Sequence, residues 1–165
     1  MKNLVKFVVF LAIVFIGANC FAMAGIEMKN LKGQTAPSFS LQDLNDKVVS
    51  SGDFFGKQPV LLFFWITTCP HCWTEMKKLN DISSSLEQKG AKIITIDLGE
   101  SKSRVSSYVK EGDYNLIVLL DRDETLVSPY GLVGVPTFFL IGKNGKVKFL
   151  THSLPEDYEK ILFQD

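Results

Sequence analysis

Apolar and polar positions follow one another in blocks along this chain of 165 residues, and the blocks come in two lengths. Short apolar runs bounded by turn-forming residues read as strands, and longer stretches with apolar residues every three or four positions read as helices. Phe39 to Leu41 and Val48-Val49, on either side of Asp43-Leu44-Asn45-Asp46, predict a β-hairpin. Val60 to Ile66 is apolar throughout, the pattern of a strand buried on both faces of a sheet. From Pro70 to Lys89 no further proline and no glycine interrupts the chain, and Gly90 follows, which predicts one long helix with a glycine at its end. Lys92 to Leu98 is the next strand, Lys102 to Glu111 a polar helix, Leu116 to Leu120 an apolar strand and Glu124 to Tyr130 a short helix. Thr137 to Ile141 and Lys146 to Leu150 form a second hairpin across Gly142-Lys143-Asn144-Gly145, where Asn-Gly is the turn signal. Glu156 to Phe163 closes the chain as a helix. Strands that alternate with helices and finish in an antiparallel hairpin imply an α/β fold, with a mixed central sheet flanked by helices and the first hairpin as an N-terminal extension.

The first 24 residues have a different pattern. Lys2 and Lys6 precede an unbroken apolar run from Phe7 to Ala18, and Ala22-Met23-Ala24 supplies the small residues a signal peptidase reads. A cleaved export signal is expected. The alternative is a retained anchor, since Phe7 to Ile26 has Asn19 as its one polar residue and about 20 apolar residues span a bilayer. Lipidation at Cys20 is a third reading, to which Gly17-Ala18-Asn19 is a poor match. All three place the rest of the chain outside the cytoplasm, where disulfide chemistry is permitted. Residues 25–35 are polar and without period and read as a linker, which leaves 36–165 as a single domain.

Composition narrows the function. Eighteen basic residues balance 18 acidic ones with no basic run, so nucleic-acid binding lacks its electrostatic footprint. Three cysteines are too few for a disulfide-stapled mini-protein or a four-cysteine zinc site, and His71 and His152 do not by themselves make a histidine-rich metal site. Removal of residues 1–24 takes Lys2, Lys6 and Cys20 with it. A mildly acidic domain with two cysteines remains, both in one motif.

That motif is Cys69-Pro70-His71-Cys72, where the buried strand gives way to the long helix. Cys69 falls at the N-cap and Pro70 at the first helical position, where its missing N–H costs nothing. A thiolate at Cys69 would face unpaired backbone N–H groups and the positive end of the helix dipole, both of which favour it, and His71 adds to that effect. Cys69 is therefore the expected nucleophile. Cys72 lies one turn on, within reach of a disulfide and more protected, and is the expected resolving thiol. A purely structural bridge across so small a loop would stabilise little, and no second cysteine pair offers the remaining ligands of a zinc site. Glu75 lies within the apolar stripe of Cys72, Met76, Leu79, Ile82 and Leu86. Desolvation there would suit it to take the Cys72 proton, against the alternative of a glutamate that complements the helix dipole from solvent. Pro136, after Val135 and directly before an apolar strand, sits where a trans proline within a sheet is awkward; the residues alone leave its isomer open.

Trp65-Ile66-Thr67-Thr68-Cys69-Pro70-His71-Cys72, with Gly134-Val135-Pro136-Thr137-Phe138 some sixty residues later, resembles the thioredoxin fold. More narrowly, it is similar to the TlpA-like group of exported thiol-disulfide oxidoreductases, related to redoxins and AhpC/TSA proteins. The resemblance extends from about Gln34 to the C-terminus and includes Ala36-Pro37-Ser38-Phe39-Ser40-Leu41, Phe55-Gly56-Lys57 and Tyr130-Gly131. It implies that Pro136 is cis and packs against the redox pair, with Val135 presenting its backbone to a partner's cysteine peptide. Thioredoxins proper place a buried aspartate where this chain has Phe63; in TlpA-like proteins an acid three residues after the second cysteine substitutes, and Glu75 occupies that place. Thr68 stands where a tryptophan usually precedes the first cysteine, and Ile66 stands where peroxiredoxins need a threonine. The chemistry implied is dithiol-disulfide exchange with no metal or organic cofactor, on cysteine-containing exported proteins, sustained by a membrane or soluble thiol redox partner. The scaffold is associated with reduction, whereas Pro70-His71 resembles the oxidising DsbA proteins. Cytochrome c maturation members tend to carry a glutamate where Thr137 stands, and a copper chaperone using Cys69, Cys72 and His152 is the alternative from another class.

Overall fold

Seven strands in one mixed sheet carry the fold, and their order decides where the cysteines lie. The computed structural model describes residues 30–164; the expected export segment 1–24 lies outside them. In chain order the elements are β1 (Ser40–Asp43), β2 (Val48–Ser50), a 3-10 turn (Ser51–Asp53), β3 (Val60–Trp65), α1 (Pro70–Gln88), β4 (Lys92–Leu98), α2 (Lys102–Glu111), β5 (Ile117–Asp121), α3 (Val127–Tyr130), β6 (Thr137–Ile141), β7 (Val147–Thr151) and α4 (Tyr158–Phe163). The strands lie in the order β2-β1-β5-β4-β3-β6-β7. β3, β4 and β5 run parallel, and β1, β6 and β7 pair antiparallel with their neighbours. The first hairpin thus extends the sheet beyond β5.

β3 lies third from one edge of the sheet with partners on both sides, and every one of its six residues is buried. Its alternate residues face opposite ways: Val60, Leu62 and Phe64 join Leu31, Phe39, Leu126 and Tyr130 on one face. Leu61, Phe63 and Trp65 join Cys72, Met76 and Leu79 of α1, Val105 of α2 and Leu162 of α4 on the other. That double burial explains the unbroken apolar run. Phe63 stacks on Phe138 of β6 with ring centroids 4.6 Å apart.

Two boundaries differ from the sequence expectation. The helix expected from Glu124 begins at Val127, because the Asp121 carboxylate accepts the Thr125 and Leu126 N–H groups and Glu124 turns through positive φ. The stretch expected as linker is described from Asn30, and its last part docks: Leu31 is buried, Gly33 and Ala36 donate to Val147 and Gly145, and Thr35 bridges to Lys146. The packed domain therefore includes Leu31 to Thr35. At the end of α1, Gly90 adopts a φ of 84° and its N–H bonds the Glu87 carbonyl while that of Ala91 bonds Leu86, the glycine-capped ending the sequence suggested.

Truncation of Phe63 removes a fully buried ring from the site-bearing strand. Phe63→Ala is expected to cost about 3–5 kcal/mol of stability in urea unfolding at fixed pH; a loss under about 1 kcal/mol would contradict this packing.

Candidate active site

The sequence places the redox motif where β3 stops. Beyond Trp65 the chain turns through Ile66 to Thr68, and Cys69, in extended conformation, becomes the N-cap of α1 with Pro70 in its first turn. The Cys72 N–H donates to Cys69 Sγ at 3.3 Å, so the sulfur takes the place of the side-chain oxygen in an ordinary N-cap. Such a donor at a helix N-terminus stabilises negative charge on sulfur. Cys69 is partly exposed and Cys72 is buried, both as free thiols. Burial, followed by its hydrogen bond to Cys69, drives the Cys72 thiol far above the usual thiol range. An outer, reachable sulfur and an inner, protonated one result. His71 and Pro70 are exposed on the first turn.

Opposite the cysteines, Val135-Pro136 is a cis peptide bond, and Cys69 Sγ lies 3.8 Å from the Val135 carbonyl oxygen. Pro136 is buried, and Thr137 Oγ1 donates back to the Gly134 carbonyl at 2.7 Å. Beside this loop an open groove of about 290 Å³ is lined by Ile66, Leu98, Val127, Leu132 and Val135, with Glu124 at its side. Trp73 and Val133 are large apolar residues exposed near the same end of the molecule, at 46% and 45%.

Glu75 is buried on the face of α1 that carries Cys72 and Met76, as its stripe position indicated. Its Oε1 pairs with Lys78 Nζ at 2.8 Å, and its Oε2 accepts the Leu154 N–H at 3.1 Å. The carboxylate is thus held from two elements rather than left bare in an apolar stripe. His152 directly follows β7. It is exposed, but its Nδ1 lies 2.8 Å from the Pro136 carbonyl and 3.3 Å from Thr137 Oγ1, so it braces the proline loop. The turn from His152 to Leu154 therefore touches both Pro136 and Glu75. Among the described residues no three His, Cys, Asp or Glu side chains converge as a metal site.

Two acids escaped the sequence reading. Asp97, the last residue but one of β4, pairs in register with Trp65 and has no exposed surface, and burial, reinforced by the neighbouring Glu100 carboxyl, pushes its pKa up to about 8. Burial would also raise Glu100, but hydrogen bonds from Asp97 and from the Thr67 N–H and hydroxyl prevail and hold it below the usual glutamate range. Those Thr67 bonds measure 2.5 Å and 2.8 Å. The visible signal was an acid inside the otherwise apolar run of β4.

Comparison with known proteins agrees with this geometry. The AhpC/TSA family pattern matches residues 32–150. The thiol-disulfide oxidoreductase ResA of Bacillus thuringiensis subsp. konkukian is 36% identical over 150 residues, covering 88% of this chain and 86% of that protein. ResA of Bacillus subtilis is 33% identical, over 79% and 75% of the two chains. Among solved structures, a thiol:disulfide interchange protein DsbE of Chlorobium tepidum superposes with a TM-score of 0.70 at 28% identity, over 79% of this chain and 92% of that one. A thioredoxin of Neisseria meningitidis does so with a TM-score of 0.67 at 32% identity, over 76% and 86%. With a thioredoxin-like sheet, a cysteine pair capping α1 and relatives of this kind, the chain belongs to the AhpC/TSA family and is a TlpA-like, thioredoxin-fold protein-disulfide oxidoreductase.

Proposed function

We propose that this oxidoreductase works outside the cytoplasm and reduces disulfides in exported proteins. The observation that carries the reading is the asymmetry of the pair, with Cys69 reachable at the helix N-terminus and Cys72 buried behind it. In the exchange, the Cys69 thiolate attacks one sulfur of the substrate disulfide. A mixed disulfide forms and the other substrate sulfur leaves as a thiolate that takes up a proton. Cys72 gives its proton to Glu75 and attacks Cys69 Sγ, which expels the second substrate sulfur as a thiolate that takes up that proton, restores the Glu75 carboxylate and leaves the Cys69–Cys72 disulfide. The substrate gains two electrons, and a thiol redox partner returns two electrons and two protons to the enzyme.

The remaining residues serve that sequence. The substrate's cysteine segment lies along Val135, whose backbone faces Cys69, and Pro136 shapes the loop from beneath. Pro70 starts the helix without an unpaired N–H, and His71 adds positive character beside Cys69. Glu75 sits on the same buried face as Cys72, held in place by Lys78 and Leu154. The extracytoplasmic setting rests on the basic, apolar and small-residue pattern of residues 1–24; among the described residues no helix is long and apolar enough to cross a membrane. Thr137, buried and bonded to Gly134, stands where the cytochrome-maturation proteins tend to carry a glutamate, which supports a general reductase over that dedicated role.

Insulin-disulfide reduction with dithiothreitol as electron source tests this reading. Wild type is expected to turn over equally with and without chelator, Cys69→Ser to fall to background and Glu75→Gln to lose roughly 100-fold at neutral pH. Stoichiometric copper binding without dithiol turnover would contradict the enzyme reading, and a Glu75→Gln rate and pH profile equal to wild type would remove the role of Glu75.

A further inference from the structure

The exchange leaves one buried acid unused. Asp97 has no exposed surface, and its Oδ2 receives no hydrogen bond from any N–H or hydroxyl donor. Two other buried polar atoms on the same face, Trp65 Nε1 and Tyr108 Oη, are equally unpartnered; Trp65 lies next to Asp97 in register, and its ring packs on Tyr108 at 5.2 Å. A lone carboxylate in that setting would be costly, because an ion in an apolar interior loses its hydration without recompense. Asp97 has an acid for its neighbour. The turn at Gly99, with a φ of 74°, brings Glu100 back so that its N–H donates to Asp97 Oδ1 at 3.3 Å, while Glu100 keeps its own carboxylate on Thr67. A second buried charge beside that carboxylate would add repulsion to lost hydration. Asp97, with one oxygen unpartnered and no exposed surface, is therefore the one that holds a proton.

Glu100 is the link from that proton to the cysteines. Its oxygens grip Thr67 at both the N–H and the hydroxyl, and the Thr67 carbonyl in turn accepts the Trp73 indole N–H at 2.7 Å. Thr67 precedes Cys69 by two residues and Trp73 follows Cys72 directly, so this chain of bonds spans the motif from both sides. We propose that Asp97 is a positioning residue for the cysteine loop: in its neutral form it accepts the Glu100 N–H and lets the Glu100 carboxylate stay on Thr67, and loss of the Asp97 proton releases the loop. On ionisation two anions would share one buried site. Arg104, whose Nε lies 3.5 Å from Glu100 Oε1 and whose side chain is 60% exposed, would then draw Glu100 outward and away from Thr67.

The other titratable groups on the surrounding elements leave this assignment in place. Arg104 acts on Asp97 in the opposite sense to Glu100 and more weakly. Tyr108 on α2 is itself pushed up by burial and stays neutral, as does Cys72 on α1, while Cys69 lies nearer the surface. On β5, Asp121 is occupied by Thr125 and Leu126, and Glu124 lies over Gly99.

The inference rests on the thiol-exchange reading, but its test does not need turnover. In the oxidised protein the cysteines have no proton to exchange, so an alkaline titration there reports other groups. The indole N–H resonances of Trp65 and Trp73 in ¹⁵N-labelled oxidised protein are expected to shift together with a midpoint near pH 8. Asp97→Asn, which keeps an acceptor for the Glu100 N–H but has no carboxyl proton to lose, is expected to abolish that transition, and Glu100→Gln to move it to lower pH. Unfolding in urea gives a second measurement. The folded state keeps a proton that unfolded Asp97 releases near pH 4, so this contribution to stability is full below about pH 4 and lost as pH rises through about 8. Asp97→Asn should flatten that decline. In turnover, Asp97→Leu is expected to lose about tenfold at pH 7 and Asp97→Asn to recover most of the loss. A transition absent from wild type, or one that persists unchanged in Asp97→Asn, would overturn the proposal.

Discussion

The sulfur of Cys69 at the N-cap of α1 is the contact on which the rest of the site depends. It is placed there by β3, an inner strand of the sheet, buried on both faces, that leaves its C-terminal end little freedom of direction. Once β3 is fixed by β4 on one side and β6 on the other, Thr67 and Thr68 are all that separates Ile66 from the cysteine. The helix then supplies the Cys72 N–H to the sulfur and carries Cys72 itself inward. Reactivity outside and protection inside follow from one helical turn. The antiparallel pairing of β3 with β6 brings the second half of the site: the strand that begins at Thr137 must be entered from the loop holding Val135 and Pro136, which faces the cysteines.

Acid placement distinguishes this site from one built around a buried aspartate in the central strand. Phe63 fills that position and stacks on Phe138, so the interior beneath the motif is aromatic. The buried carboxyl groups of this half of the molecule come from other elements instead. Glu75 comes from α1, its charge met by Lys78 and the Leu154 amide. Asp97 and Glu100 come from the end of β4, coupled to Thr67. The turn after β7 ties two parts of the site together, since His152 braces the Pro136 carbonyl while Leu154 holds Glu75. The proline loop and Glu75 thereby share one support.

Much of this was legible in the residues because local rules and burial agree. β3, α1, β4, α2 and β6 fall within one residue of their apolar blocks, and Gly90 ends α1 as its conformation requires. Glu75 was legible because helical spacing put it on the stripe with Cys72. The shortened α3 was not, because a side chain decided it: Asp121 captures the two amides that would have begun the helix. His152 and Asp97 were obscure for a related reason. The value of each depends on a partner set by tertiary contact, Pro136 across the sheet for one and Glu100 beyond a glycine turn for the other. An acid within a buried strand is visible in sequence, but the residue whose N–H meets it is identified by the turn that follows.

In the proposed exchange Cys69 alone makes the bond to the substrate and Cys72 alone releases it. Incubation of the Cys72→Ser protein with disulfide-bonded insulin, followed by non-reducing electrophoresis and mass spectrometry, tests it most directly. A thiol-labile one-to-one adduct joined through Cys69 is expected to accumulate, with none formed by Cys69→Ser. An adduct of equal yield on Cys72 in the Cys69→Ser protein, or no adduct with either variant, would overturn this division of roles.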